Sequence, residues 1–197
     1  MERFDSDNLR RMLHSLPDWK RVVFMAACCE RMLPNYQSFS SATGYGDASR
    51  LRQALDQVWH WIETNQLPRD VSLLVEECNQ QAPNTAEFNS AYTSAALDAA
   101  NSVAIALEAL GDETEDRAIE VASLARDTVD LFVQQRNHLD PNSPSLERQI
   151  AEDSLMQTEL QKQKQSLELL KDQVDQRLLT VARMRAIFSD RSLPGNL

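Results

Sequence analysis

Apolar residues recur at helical spacing along almost the whole chain. The clearest case lies between Ala48 and Glu63, where Leu51, Leu55, Val58, Trp59 and Ile62 fall on one face of a helix. Before it, a short helix is predicted over Asp7 to Ser15. A second should start at Pro17, which suits a first helical turn, and run to about Leu33. Pro34 is expected to interrupt it, leaving a third short helix over Asn35 to Thr43. Gly44-Tyr45-Gly46-Asp47 then reads as a connector, with Gly44 free to take positive φ and Asp47 placed to cap the next helix. Val71, Leu74, Val75 and Cys78 mark a shorter helix.

Asn84 and Glu87 have capping-box spacing and predict an alanine-rich helix from there to Leu110. Because it is apolar on most sides, it should be central. Gly111 stops it, and Asp112-Glu113-Thr114-Glu115 starts another, with Ala118, Val121, Ala125, Val129, Phe132 and Leu139 facing inward. Asp140-Pro141-Asn142-Ser143-Pro144 is the strongest break. Residues 145–188 then contain neither Gly nor Pro, and Leu160, Leu167, Val174, Val181 and Phe188 recur at heptad spacing, with Leu170, Leu178 and Met184 between. One straight helix there would be ~66 Å long at 1.5 Å per residue, against roughly 40 Å for a compact domain of this size. Leu160 is the only large apolar residue in Gln157 to Ser166, so the bend is expected in that stretch. The pattern predicts an all-α, single-domain bundle of about seven to nine helices. Residues 1–142 form its core, and 143–197 a long helix or helix pair packed on that core.

Composition supports this picture. With 197 residues, 4 Gly and 7 Pro, the chain is not a turn-rich β-sandwich, and it is long enough to bury a core without disulfides or metal. The formal charge of -10 is concentrated centrally: residues 34–142 carry 6 Lys/Arg against 17 Asp/Glu. Such a surface disfavours nucleic acid, which is bound by basic faces, and leaves open an acidic face for a basic protein partner. The charged N-terminus and the short apolar run Val22 to Cys29 predict neither a leader nor a membrane span. Three cysteines, with no CxxC, fit a cytoplasmic location and structural thiols.

The chain carries no GxGxxG, P-loop, GxSxG or HExxH motif, and its histidines, His14, His60 and His138, are scattered. No catalytic residue, cofactor or metal site is expected from it. Polar residues set among apolar ones are more informative. They are Glu30 and Arg31 after the apolar run, Asp98 in the alanine-rich helix, and Tyr36 and Asp47 around the connector. A buried lone carboxylate is costly, so Asp98 needs a cation, and Arg31 is the expected partner across two helices. Asp47 would repel an anion at the connector, which leaves it a capping role.

The residues Phe24-Met25-Ala26, Cys29-Glu30-Arg31-Met32, Pro34-Asn35-Tyr36, Phe39, Thr43-Gly44-Tyr45-Gly46-Asp47, Arg52, Leu55-Asp56 and Trp59 resemble the core motif of the YjaG-like family of uncharacterised bacterial proteins. Pro83, Phe88, Tyr92 and Asp98-Ala99 continue the likeness. The resemblance implies an all-helical, cytoplasmic bacterial protein and supplies no activity. It makes Glu30, Arg31, Asn35, Tyr36, Asp47 and Asp98 the candidate polar cluster, since these coincide with polar positions shared in the family. The expected function is that of a non-enzymatic structural or interaction protein, with a homodimer through the heptads as one form. The alternative is a small-ligand binder or enzyme using a pocket around Glu30, Arg31, Tyr36 and Asp98.

Overall fold

The computed structural model describes residues 4–111 and 114–172, with Arg177, Val181, Ala182 and Met184. Eight helices account for most of these residues: α1 (Ser6–His14), α2 (Asp18–Thr43), α3 (Ala48–Thr64), α4 (Val71–Gln81), α5 (Thr93–Glu108), α6 (Thr114–Arg136), α7 (Leu146–Glu152) and α8 (Ser154–Asp172). No strand occurs among the described residues. Capping follows the sequence closely. Asp5, Asp47 and Asp70 accept hydrogen bonds from first-turn N–H groups of α1, α3 and α4, and Gly44 closes α2 at φ 73°.

Helices α2 and α5 share the centre: α2 packs against α3, α5, α6 and α8, and the alanine-rich α5, as its apolar pattern predicts, against α2, α3, α4 and α6. The α2 run from Val22 to Cys29 is wholly buried because neighbours surround it. The α3 stripe Leu51, Leu55, Val58, Trp59 and Ile62 is also fully buried. A smaller apolar cluster joins Val133, Ile150, Met156 and Leu160, with Val129 and Leu139 packed on it, while Phe132 is half-buried.

Three predicted boundaries move. Pro34 lies inside α2 and does not end it. It sits on the exposed face, where water can serve the carbonyl that the ring deprives of a donor, and buried Met32, Tyr36 and Phe39 fix the axis on both sides. The alanine-rich helix starts at Thr93, not Asn84. Asn84 does bond Ala86 N and Glu87, but the turn does not propagate. Ser90 and Thr93 bond locally to the backbone, and Phe88 is drawn against Phe39 (centroids 5.2 Å) and Tyr45 (4.9 Å).

The C-terminal segment breaks at Asp153, which is extended and accepts from Leu155 N, and not within Gln157 to Ser166. That polar stretch is helical, with Glu159, Gln163 and Ser166 buried. The heptad positions Leu160, Leu167 and Val181, with Leu170 and Met184, are buried in this chain's own core. Val174, Leu178 and Phe188 lie outside the described residues, as do Asp112 and Glu113. Arg177 stacks on Trp19 (5.4 Å) and Trp61 (5.7 Å) and bonds Asn65 Oδ1 (2.9 Å), tying the late chain to α2 and α3.

Candidate functional site

The six candidate polar residues divide into two groups. The first is a set of ties between elements. Glu30 on α2 accepts from Arg52 Nη1 (2.7 Å) and Trp59 Nε1 (2.8 Å) of α3. Tyr36 donates to the Gln81 carbonyl (2.8 Å), and the Gln81 side chain accepts from Asp47 N (2.8 Å). Burial pushes the Tyr36 phenol up to about 12, so it stays a donor. The Asp47 carboxyl is held below its usual range by Ser49 at the start of α3. Glu30, Tyr36 and Asp47 are therefore engaged in holding α2, α3 and α4 together.

The second group surrounds a cleft between α2, the start of α5, α6 and α8, and here the expected pairing of Arg31 with Asp98 is overturned. Arg31 pairs with Glu159 of α8: Nε to Oε2 is 2.9 Å and Nη2 to Oε1 is 2.7 Å. This forked bond is buried at both ends. Arg31 also donates to the Ala27 carbonyl (2.9 Å) and Cys28 Sγ (3.3 Å), and Gln163 bridges Glu159 Oε1 (2.9 Å) to the Ala122 carbonyl (3.1 Å). Burial works against the Arg31 charge, but Glu159 outweighs it, and the guanidinium is held charged above its ordinary value.

Asp98 takes a hydroxyl partner in place of a cation: Thr128 Oγ1 on α6 donates to its Oδ2 at 2.8 Å. Burial pushes the Asp98 carboxyl up to about 6. The Thr128 bond opposes that rise, and Asp127 adds to it. Asn35, one turn beyond Arg31 on α2, lines the cleft and makes no hydrogen bond to the described residues.

The cleft has a volume of about 70 Å³ and is open on one side. Ala91, Ala95, Val129, Leu131, Phe132 and Leu155 give it apolar walls, and Asn35, Thr128, Gln135, Thr158 and Glu159 its polar points. Of the sequence-named residues only Asn35 lines the cleft, while Arg31 and Asp98 stand behind it, bonded to the lining residues Glu159 and Thr128. Glu159, Gln163, Thr128 and Thr158 escaped sequence reading. The available signal was the spacing of Glu159, Gln163 and Ser166, which share a helix face within a stretch poor in large apolar residues. The thiols offer no chemistry: burial pushes Cys28 up to about 11 and Cys78 up to about 12, and Cys29 well above its usual range.

A model of proteins of unknown function, DUF416, matches residues 8–193. The chain belongs to the DUF416 family. Among DUF416 relatives, the uncharacterized protein YjaG of Escherichia coli (strain K12) is 31% identical over 118 residues, 59% of this chain and 60% of that protein. An uncharacterized protein of Haemophilus influenzae is 27% identical over 166 residues, 83% of each chain. The chain thus spans about 60% of the Escherichia coli relative's length. A crystal structure of a DUF416 family protein from Shewanella baltica OS155 superposes with a TM-score of 0.83 at 23% identity, covering 91% of this chain and 92% of that one. It shares the all-helical fold. Among the described residues of this DUF416 protein, no helix is long and apolar enough to cross a membrane.

Proposed function

We propose that the protein acts by binding a protein partner, as a non-enzymatic interaction module, and that the cleft between α2, α5, α6 and α8 is its recognition site. The observation that carries this is the way its polar residues are used. Glu30, Arg31, Tyr36, Asp47 and Glu159 are engaged by neighbouring side chains and by backbone, as scaffold groups are, while the cleft keeps an apolar wall and the unengaged Asn35 amide. The three buried, free thiols support a cytoplasmic setting.

Tagged full-length chain, retrieved from its native cells, tests the reading. Ala91→Trp fills the cleft, and Leu73→Asp alters an exposed leucine on α4, away from it. A partner retained by wild type and Leu73→Asp but lost with Ala91→Trp is expected. Equal retention by all three removes the cleft from consideration. A homodimer is a separate proposal. The described heptad residues are occupied in the chain's own core, so self-association would need another surface, and light scattering across micromolar concentrations reads it directly.

A further inference from the structure

Hydrogen-bond accounting in the cleft narrows its occupant. The Thr128 hydroxyl hydrogen is committed to Asp98, and the Thr158 hydroxyl hydrogen to the Ser154 carbonyl (2.7 Å), so both oxygens face the cleft as acceptors. Glu159 is an acceptor only, with its charge already matched by Arg31. Asn35 and Gln135 each add an amide, which both accepts and donates. Three of the five polar lining residues thus offer acceptors only, which favours an occupant that brings donors.

Charge points the same way. Asp98 does not line the cleft but stands behind its wall, with its carboxylate 2.8 Å from Oγ1 of the lining residue Thr128. Arg31 and Glu159 cancel, and Arg126 pairs with Asp127, but no cation pairs with Asp98 among the described residues. The carboxyl, raised to about 6, is still mainly ionised at neutral pH. The chain as a whole, at -10, attracts basic partners. Size sets the last limit. A cavity of roughly 150 Å³ holds a benzene ring, so about 70 Å³ suits a compact head and the first carbons of a chain rather than a planar guanidinium.

Resting on the reading of the cleft as a partner site, we propose that it takes the side chain of a lysine from a basic protein partner. The ammonium lies among Thr128, Thr158, Asn35 and Glu159, with Asp98 as its counter-charge, and the aliphatic stem lies against Val129, Phe132 and Leu155.

Nuclear magnetic resonance titration of the ¹⁵N-labelled full chain tests this with three capped tripeptides, Ala-Lys-Ala, Ala-norleucine-Ala and Ala-Glu-Ala, and with n-butylammonium. The lysine peptide should shift the amides of Ala95, Thr128 and Thr158 saturably. It should bind about tenfold more tightly than the norleucine peptide, the size of one charge-assisted hydrogen bond. Asp98→Asn keeps an acceptor for Thr128 and should bring the two peptides to equal affinity, and Thr158→Val should weaken the lysine peptide severalfold. Equal or tighter binding of the norleucine or glutamate peptide overturns the lysine assignment while leaving the cleft as a partner site. Binding of n-butylammonium without the lysine peptide reassigns the site to a free amine. No shift with any of the four overturns the lysine proposal, and the Ala91→Trp retrieval then decides the cleft on its own.

Discussion

Two glycines two residues apart in the same connector have different jobs. Gly44 and Gly46 both have positive φ, 73° and 70°. A Cβ on Gly44 would meet nothing within 4 Å, whereas one on Gly46 would lie 2.1 Å from Tyr36 Oη. Gly44→Ala should cost about 1 kcal/mol, the left-handed backbone term. Gly46→Ala should cost roughly 2–4 kcal/mol, since a fully buried tyrosine must also move. Chemical denaturation of both variants measures the difference, and equal losses would show that Tyr36 yields freely. Asp98 provides a second test. Its carboxyl is raised in the fold, so the folded state holds a proton that the unfolded chain releases between about pH 4 and 6, and stability falls as pH rises through that window. Asp98→Asn should therefore stabilise the protein at pH 7 by on the order of 1 kcal/mol, discounted for partial solvation. The gain should vanish at pH 4. A gain independent of pH would show that the carboxyl does not titrate as described.

The ion pair between α2 and α8 decides how those helices fit. Removing one buried partner leaves the other uncompensated. Arg31→Met and Glu159→Leu should each cost about 3–5 kcal/mol, and the double variant should recover most of that loss. If the double variant loses the sum of the singles, the two residues are not coupled. What the sequence reveals about these elements is uneven for a physical reason. The α3 stripe and the caps at Asp47 and Gly44 are local patterns, written within one or two turns, and they fold as read. Pro34 and Asn84 are local signals too, but packing decided both cases: buried residues carry α2 through the proline, and the Phe39–Tyr45–Phe88 contacts keep residues 84–92 out of α5. The choice of Glu159 over Asp98 for Arg31 was not legible. It joins residues 128 positions apart and depends on how α8 lies across α2, which no local spacing encodes.

At the scale of the whole molecule, the acidic segment, the cleft and the C-terminal helices form one arrangement around α2. The heptads that suggest a seam between chains are this chain's own core where they are described, and Leu170→Ala should cost about 2–5 kcal/mol in unfolding free energy with no change in solution mass. A halved mass would instead place Leu170 between subunits. The α2–α8 pairing also bears on how the protein is made. When only residues 1–142 have emerged from the ribosome, Arg31 already follows the most apolar stretch of the chain, yet Glu159 is still held back from it. A chain stopped at residue 142 should therefore fail to give cooperative melting. Supplying residues 143–197 as a separate peptide should restore it, because α8 carries the counter-charge that lets the first long helix be enclosed.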